Sequence, residues 1–494
     1  MTTKLSLANL TEIAGTAGVP AYERSGLAAG IVHFGVGNFH RAHQAVYLDD
    51  LFNLGLDHDW AIIGAGVLPS DAAMREKLAG QDFLTTVVEQ DNNRSGARVT
   101  GAMIGYLAPG NAAATIAQLA DPAIRIVSLT ITEGGYFIDP ASGVFDPAHP
   151  AIAADAASPD DPKTVFGLIL AGLKARRERG IAPYTVMSCD NIPGNGEVTH
   201  AAVSGLARLF DPALSDWIDA NVAFPNGMVD RITPATGARE IGIVADEYGI
   251  DDAWPVFCEE FKQWVLEDRF PEGRPALEKV GVQFVSDVAP YEHMKIRILN
   301  GGHAAIAYPA ALLDIHFVHE AMEDADIRAF LAKLEREEII PVIPPVPDTD
   351  LNDYFALIEH RFSNPKIADT IPRLAQDGSN RQPKFILPST ADRLSRGEDV
   401  VGLSLVSALW CHYLAGTSDS GGSIVFNDPN IDRIHAAATA AKGNPDAFLE
   451  LKDIFGTVAA SDLFRKRFAN ALRSLQQNGT RATMKRYLAG TLAD

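Results

Sequence analysis

Cysteine is scarce in this chain. The 494 residues include three, Cys189, Cys258 and Cys411. They are far apart and odd in number, which excludes a disulfide framework and any structural zinc site built on cysteine pairs. Positive charge is also in short supply. Against 63 Asp and Glu stand 42 Lys and Arg, a formal balance of −21. An acid surplus of that size repels phosphate backbones and anionic lipid, so neither nucleic acid nor a membrane is an expected partner. No uncharged apolar run approaches the length of about 18 residues that a bilayer span needs. The N-terminal stretch MTTKLSLANLTEIAGTAGVPAY lacks both a signal-peptide core and an arginine-rich transit pattern, so a cytoplasmic protein is expected. Internal repeats and low-complexity tracts are missing too. What remains, 47% hydrophobic and 21% charged residues, rules out disorder as the dominant state, and a chain this long buries a core without staples.

The first half alternates short apolar runs with helical stretches, the pattern of an α/β domain with a parallel sheet. Strands are expected at Gly30–Gly35, Trp60–Val67, Ile124–Thr132 and Tyr184–Cys189, and helices at His40–Leu54 and Lys163–Gly180. From Met294 onward helical periodicity dominates. Helices are expected at Met294–Ala307, Phe317–Glu337, Leu351–Phe362, Leu403–Ala415 and Asp462–Gln477. The stretch IPVIPPVPDTD from Ile340 breaks them and reads as a surface connection. The expected fold class is α/β: a Rossmann-type dinucleotide-binding domain over residues 1–286, then a mostly α-helical domain over 287–494.

The strand GIVHF runs into Gly35-Val36-Gly37-Asn38-Phe39-His40. A strand, a glycine turn and a helix start make an anion site, with Gly35 permitting the tight turn and Gly37 a close approach of pyrophosphate. The third glycine of the usual fingerprint is replaced by His40, so a plain strand–helix turn fits the bare pattern equally well. A dinucleotide site also needs an acid after the second strand. Asp71 is the candidate, although it lies beyond the usual interval; Asp57 and Asp59 precede the strand and fall at its wrong end. An acid there disfavours a 2′-phosphate and so favours NAD over NADP. A solvated loop aspartate is the alternative.

The segment from Tyr291 to His303 reads YEHMKIRILNGGH. On a regular helix with Lys295 at 0°, Glu292, His303 and Asn300 fall at about 60°, 80° and 140°, one polar arc. Met294 and Ile298 fall outside it, where they can pack as core. Such a face lines a polar cleft or faces solvent. Gly301-Gly302 would let a backbone or a ligand come close. Tyr291-x-x-x-Lys295 imitates the short-chain dehydrogenase pair, but the loop and serine that accompany that pair are missing. His33 reads as a satisfied core histidine, and His40 with His43, or His316 with His319 and Glu320, as non-metal groups. No metal site is expected.

Together with GVGNFHRAHQ from Gly35, VSLTITEGGY from Val127, VMSCDN from Val186, FPNGMVDRITP from Phe224 and DDAWP from Asp251, the Lys295–His303 segment resembles the mannitol 2-dehydrogenase group of polyol-specific long-chain dehydrogenases. The resemblance implies an active site in the cleft between the two domains. It implies Lys295 as general base, Asn191 and Asn300 as amide donors around the reacting oxygen, and His303 and Asp230 as holders of substrate hydroxyls. It further implies Glu292 as a proton relay and Glu133 beside the site. Arg373 and Arg381 would lie at the distal end of the substrate, with Arg381 standing where a lysine is expected. Gly35, Gly37, Asn38, Phe39 and Asp71 would line the cofactor, NAD. A lysine base must be unprotonated near neutral pH, which desolvation and a cationic nicotinamide ring favour. The implied reaction is metal-independent interconversion of D-mannitol and D-fructose, with D-arabinitol or D-sorbitol as further substrates, by a monomer. A fructuronate- or tagaturonate-type uronate reductase is the alternative, because two arginines could clamp a carboxylate. A non-catalytic NAD sensor is the third reading, against which the Lys-Asn-His set speaks.

Overall fold

The computed structural model describes residues 2–139 and 143–493. Its contacts divide the chain into two compact units, Met1–Ala289 and Pro290–Asp494.

The first unit is built on a five-stranded sheet: β1 (Ala29–Phe34), β2 (Ala61–Ala65), β3 (Met103–Tyr106), β4 (Ile126–Leu129) and β5 (Thr185–Ser188). All pairs are parallel and the order is β3-β2-β1-β4-β5. Parallel strands are covered on both faces, and β1 shows how its sequence meets that demand. Val32 and Phe34 point into one core with Leu129, Phe166, Ile169 and Leu206. Ile31 points into the other, with Leu48, Leu51, Phe52 and Ile62. The order reverses between β1 and β4, the place where such sheets receive dinucleotides at their carboxyl ends. The short edge strand MIGY of β3 carries no strong apolar run, and the sequence reading missed it.

Three smaller sheets are described in the unit, one of them the short parallel pair Thr3–Lys4 and Ile250–Asp251. Thr85–Gln90 pairs antiparallel with Ser95–Thr100 and parallel with Val256–Glu259. Gln263–Glu267 pairs antiparallel with Gly227–Asp230 and parallel with Gln283–Val285. The helix expected at His40–Leu54 is two helices, Asn38–Ala42 and Gln44–Asn53, broken at His43. The His43 ring donates to the Gln263 carbonyl at 2.9 Å and stacks on Phe39, and these ties take its backbone out of the helical register.

The second unit is helical. Val401–Tyr413, apolar nearly all round, is buried along almost its whole length and packs against the last helix, Asp462–Leu488. That helix runs past the expected Gln477 through a kink at Gly479 (φ 78°). The Asp419 carboxylate accepts from the Thr480 amide at 2.7 Å and from its hydroxyl at 3.0 Å, and so starts the helix again. The helix expected at Phe317–Glu337 is likewise split. Asp324 accepts from the amides of Asp326 and Ile327 and caps a fresh helix, Ala325–Leu334. A π-helical turn follows, Glu335–Ile339, which buries Glu335 completely. The Pro-rich stretch is not a mere surface connection: Val342, Ile343 and Val346 are buried at 1%, 7% and 6% exposure. Among the described residues no helix is long and apolar enough to cross a membrane.

Candidate functional site

In the first unit, the glycine loop leaves β1 at Gly35, whose φ is +90° and whose Cβ, if present, would lie 2.1 Å from the Thr130 carbonyl. Only glycine fits there. The Thr130 hydroxyl donates to the Gly35 carbonyl at 2.5 Å, and the His33 ring bridges Ser128 and Thr130 at 2.7 and 2.9 Å. His33 is thus a satisfied core histidine. His40 stacks on it at 3.5 Å, and burial pushes its imidazole well below the ordinary value. Gly37 is exposed, and a Cβ there would meet nothing nearer than the Gly35 carbonyl at 3.9 Å. The chain's own packing therefore leaves the space in front of Gly37 open. Asn38 spends its side chain on the protein: it donates to the Pro234 carbonyl and the Thr236 hydroxyl and accepts from Arg41. Phe39 is occupied with His43.

Asp71 lies in the first turn of helix Pro69–Ala79, and its carboxylate accepts from the amides of Val67 and Leu68 at 2.9 and 2.8 Å. Those two amides follow β2, so the fold returns the acid to the strand end despite its distance along the sequence. Asp57 and Asp59 are engaged elsewhere, with the Ala276 amide and Arg125.

At the carboxyl ends of β4 and β5 a residue missed by the sequence reading joins two loops. The Asp190 carboxylate accepts from the amides of Ile131 and Thr132, both at 2.9 Å, and from the Tyr136 hydroxyl at 2.7 Å. Burial raises its carboxyl above the usual range, although these bonds act the other way. The bridge places Glu133, which opens the turn Glu133–Tyr136, and the exposed Asn191 on loops fastened to each other. Asn195 extends the tie. Its amide donates to the Gly227 carbonyl at 2.7 Å and its oxygen accepts from the Gly227 amide at 2.9 Å. Gly227 opens the short strand that ends in Asp230, which is 4% exposed. The next residue, Arg231, is a structural pin: it donates to the carbonyls of Ala42 and Glu259 and to the Glu89 carboxylate.

In the second unit, Lys295–Asn300 is a π-helical turn between helices Ala289–Met294 and Gly301–Leu312. This corrects the regular helix assumed for the polar arc. A π turn bonds i to i+5, which stacks Asn300 over Lys295 instead of setting it at about 140°. Met294 and Ile298, both 0% exposed, are core. Lys295 is 6% exposed, and Glu292 lies three residues before it, half-buried. The Asn300 side-chain oxygen and His303 Nε2 are buried without a hydrogen-bond partner among the described residues. The His303 ring stacks on Phe362 at 4.0 Å. Burial pushes its imidazole down to about 3, the nearby arginines add to this, and Asp369 opposes it. His303 is therefore neutral at ordinary pH. The glycine pair serves packing: a Cβ on Gly301 would sit 3.3 Å from the Phe385 carbonyl, and one on Gly302 3.3 Å from Glu335.

Arg373, on the short helix Ile371–Leu374, donates from Nε to Asp369 at 2.6 Å and from Nη2 to its other oxygen. Arg381 donates to the Leu374 carbonyl at 2.6 Å and the Arg373 carbonyl at 3.4 Å. Glu320 caps its own helix through the Phe317 amide. Among the described residues no three His, Cys, Asp or Glu side chains gather to hold a metal ion.

Two family models match this chain: the mannitol dehydrogenase Rossmann domain over residues 29–279 and the mannitol dehydrogenase C-terminal domain over 287–476. It is 59% identical to a mannitol 2-dehydrogenase of Cereibacter sphaeroides over 471 residues, 95% of this chain and 98% of that one. Among solved structures, the Pseudomonas fluorescens mannitol 2-dehydrogenase in ternary complex with NAD and D-mannitol is similar at 45% identity and a TM-score of 0.88. The match covers 99% of this chain and 100% of that one. A D-sorbitol dehydrogenase in substrate-free form is similar at 35% identity and a TM-score of 0.91, over 97% and 100% of the two chains. On a shared fold and near-complete matches of sequence, the chain belongs to the mannitol dehydrogenase family.

Proposed function

We propose that the protein is an NAD-dependent polyol 2-dehydrogenase that interconverts D-mannitol and D-fructose, with D-arabinitol or D-sorbitol as further substrates. The observation that carries this reading is the π turn. It sets Asn300 one wide turn after a buried lysine, and the Asn300 oxygen and His303 Nε2 are buried with no partner among the described residues. Buried polar atoms are rarely left so, and a polyhydroxylated ligand offers the hydroxyls that would satisfy them. Family membership and the similarity to mannitol and sorbitol dehydrogenases support the same substrate class.

In this reading Lys295, unprotonated, takes the proton of the secondary hydroxyl during oxidation and returns it to the ketone oxygen during reduction. Asn191 and Asn300 donate to that oxygen as it gains alkoxide character, and they bring no charge of their own. His303, neutral, and Asp230 hold neighbouring hydroxyls. Glu292 passes the proton onward to solvent. NAD⁺, when bound, supplies the hydride acceptor. The open backbone at Gly37, the glycine-only turn at Gly35 and Asp71 at the end of β2 fit its pyrophosphate and adenosine ribose, with Glu133 beside the reacting end.

The uronate alternative asks for an uncompensated cation. The bidentate Asp369–Arg373 pair speaks against one. The sensor reading gives no use for the buried lysine. A panel of NADH-dependent reductions with fructose, xylulose, fructuronate and tagaturonate tests the proposal. Turnover of fructose is the expected result, and turnover of the uronates alone would overturn it.

A further inference from the structure

Arg373 is half-exposed, at 53% of its side chain, whereas its partner Asp369 is 9% exposed. The carboxylate is fixed on its own side as well, since it accepts from the Thr370 amide at 2.8 Å. Burial would raise the Asp369 carboxyl, but the guanidinium outweighs it and holds the group below the usual range. The pair is therefore ionic at working pH. Of the five N–H donors of a guanidinium, the Nε and Nη2 edge is committed to Asp369, and the side chain remains half-exposed. Arg381 is no free cation either. Its Nη1 is bound to carbonyl oxygens, and both Asp369 and Asp377 act on its charge. The charges that act on His303 are thus those of Asp369 and of Arg373, Arg361 and Arg381.

We infer that Asp369 determines specificity: by pairing edge-on with Arg373 it cancels the guanidinium's charge and leaves it a hydroxyl donor, so the site takes the neutral end of a polyol and rejects a uronate carboxylate. The inference rests on the reading that places Arg373 at the distal end of the substrate. A carboxylate brought to Arg373 meets Asp369 as well, and juxtaposed like charges are strongly unfavourable in a partly dry site.

The variant Asp369→Asn keeps the shape and one acceptor oxygen but removes the charge. Its ratio of kcat/KM for fructuronate over fructose rises by about tenfold or more relative to the wild type, and the gain shrinks with added salt. A ratio unchanged in a variant that still reduces fructose overturns the role of Asp369 alone. A wild type that reduces no ketose overturns that role together with the proposed function. Where the variant does not fold, the wild type gives a second measurement, inhibition of fructose reduction by gluconate at low and high salt. Inhibition that does not tighten at low salt supports the inference. Tightening by about tenfold shows an uncompensated cation and overturns it.

Discussion

A lysine side chain with 6% of its surface exposed is uncommon, because the ammonium group is rarely withdrawn from water without a task. At position 295 the proposed task is proton transfer. Lys295→Ala is therefore expected to lower kcat by a factor of about 10² to 10⁴ while NADH still binds, as followed by NADH fluorescence. Turnover at the wild-type rate would remove Lys295 from the chemistry. The residues proposed for this chemistry are legible through the family resemblance; spacing alone leaves a polar cleft and a solvated face both open. Residues that hold the site in shape are not legible. Asp190 and Asp369 are ordinary acids in the sequence, and only folding shows that one fastens two loops while the other pairs with an arginine four residues on. Asn38 illustrates the converse. It sits in the glycine loop, yet its amide is spent on Pro234 and Thr236.

At the scale of elements, β1, β2, β4 and β5 were readable because β-branched runs buried on both faces leave a strong apolar signature. The break at His43 and the restart beyond Gly479 were not, because each depends on a partner distant in sequence, Gln263 and Asp419, and the two π turns were not either. Only the restart at Asp324 carries a local signal, a capping acid ahead of a helical run. The second π turn has a measurable cost. Glu335 is fully buried, both its oxygens lack a partner among the described residues, and burial raises its carboxyl well above the ordinary value. The folded state thus keeps a proton that the unfolded chain releases near pH 4.3. Its contribution to stability falls as pH rises above that value, by about 1.4 kcal/mol per pH unit until the buried group ionises. Glu335→Gln removes this slope. Urea melts are expected to show the variant gaining on the wild type between pH 5 and pH 8, and an equal difference at both pH values would contradict the assignment.

For the molecule as a whole, buried histidines are unevenly distributed. His33 and His43 are pushed down to about 3 by burial, and His40 also lies well below its ordinary value. All three belong to the first unit; in the second, His303 is pushed down to about 3 and His412 is lowered as well. A histidine held neutral in the fold and protonated in the unfolded chain contributes stability above about pH 6.5, and that stability is lost as pH falls through this value. The carboxyl groups raised by burial act in the opposite sense. Asp190 is such a group in the first unit, while Glu335, Glu338 and Asp377 are in the second. Acidification from pH 7.5 to 5.5 is therefore expected to loosen the N-terminal unit before the C-terminal one, as resolved by hydrogen exchange read unit by unit. Simultaneous loss of protection, or earlier loss beyond residue 290, would refute this.

The π turn at Lys295–Asn300 also has a consequence for how the chain tolerates insertion and deletion. A helix wound with one surplus residue is out of step with itself, and removing that residue lets it close into ordinary α geometry. A single deletion between Lys295 and Asn300 would then cost little in folding and would leave the asparagine four residues after the lysine, still about one turn above it. Ordinary α geometry at the present length would instead turn the asparagine and the histidine about 100° away from the lysine, so in this segment the winding of the chain matters as much as its composition.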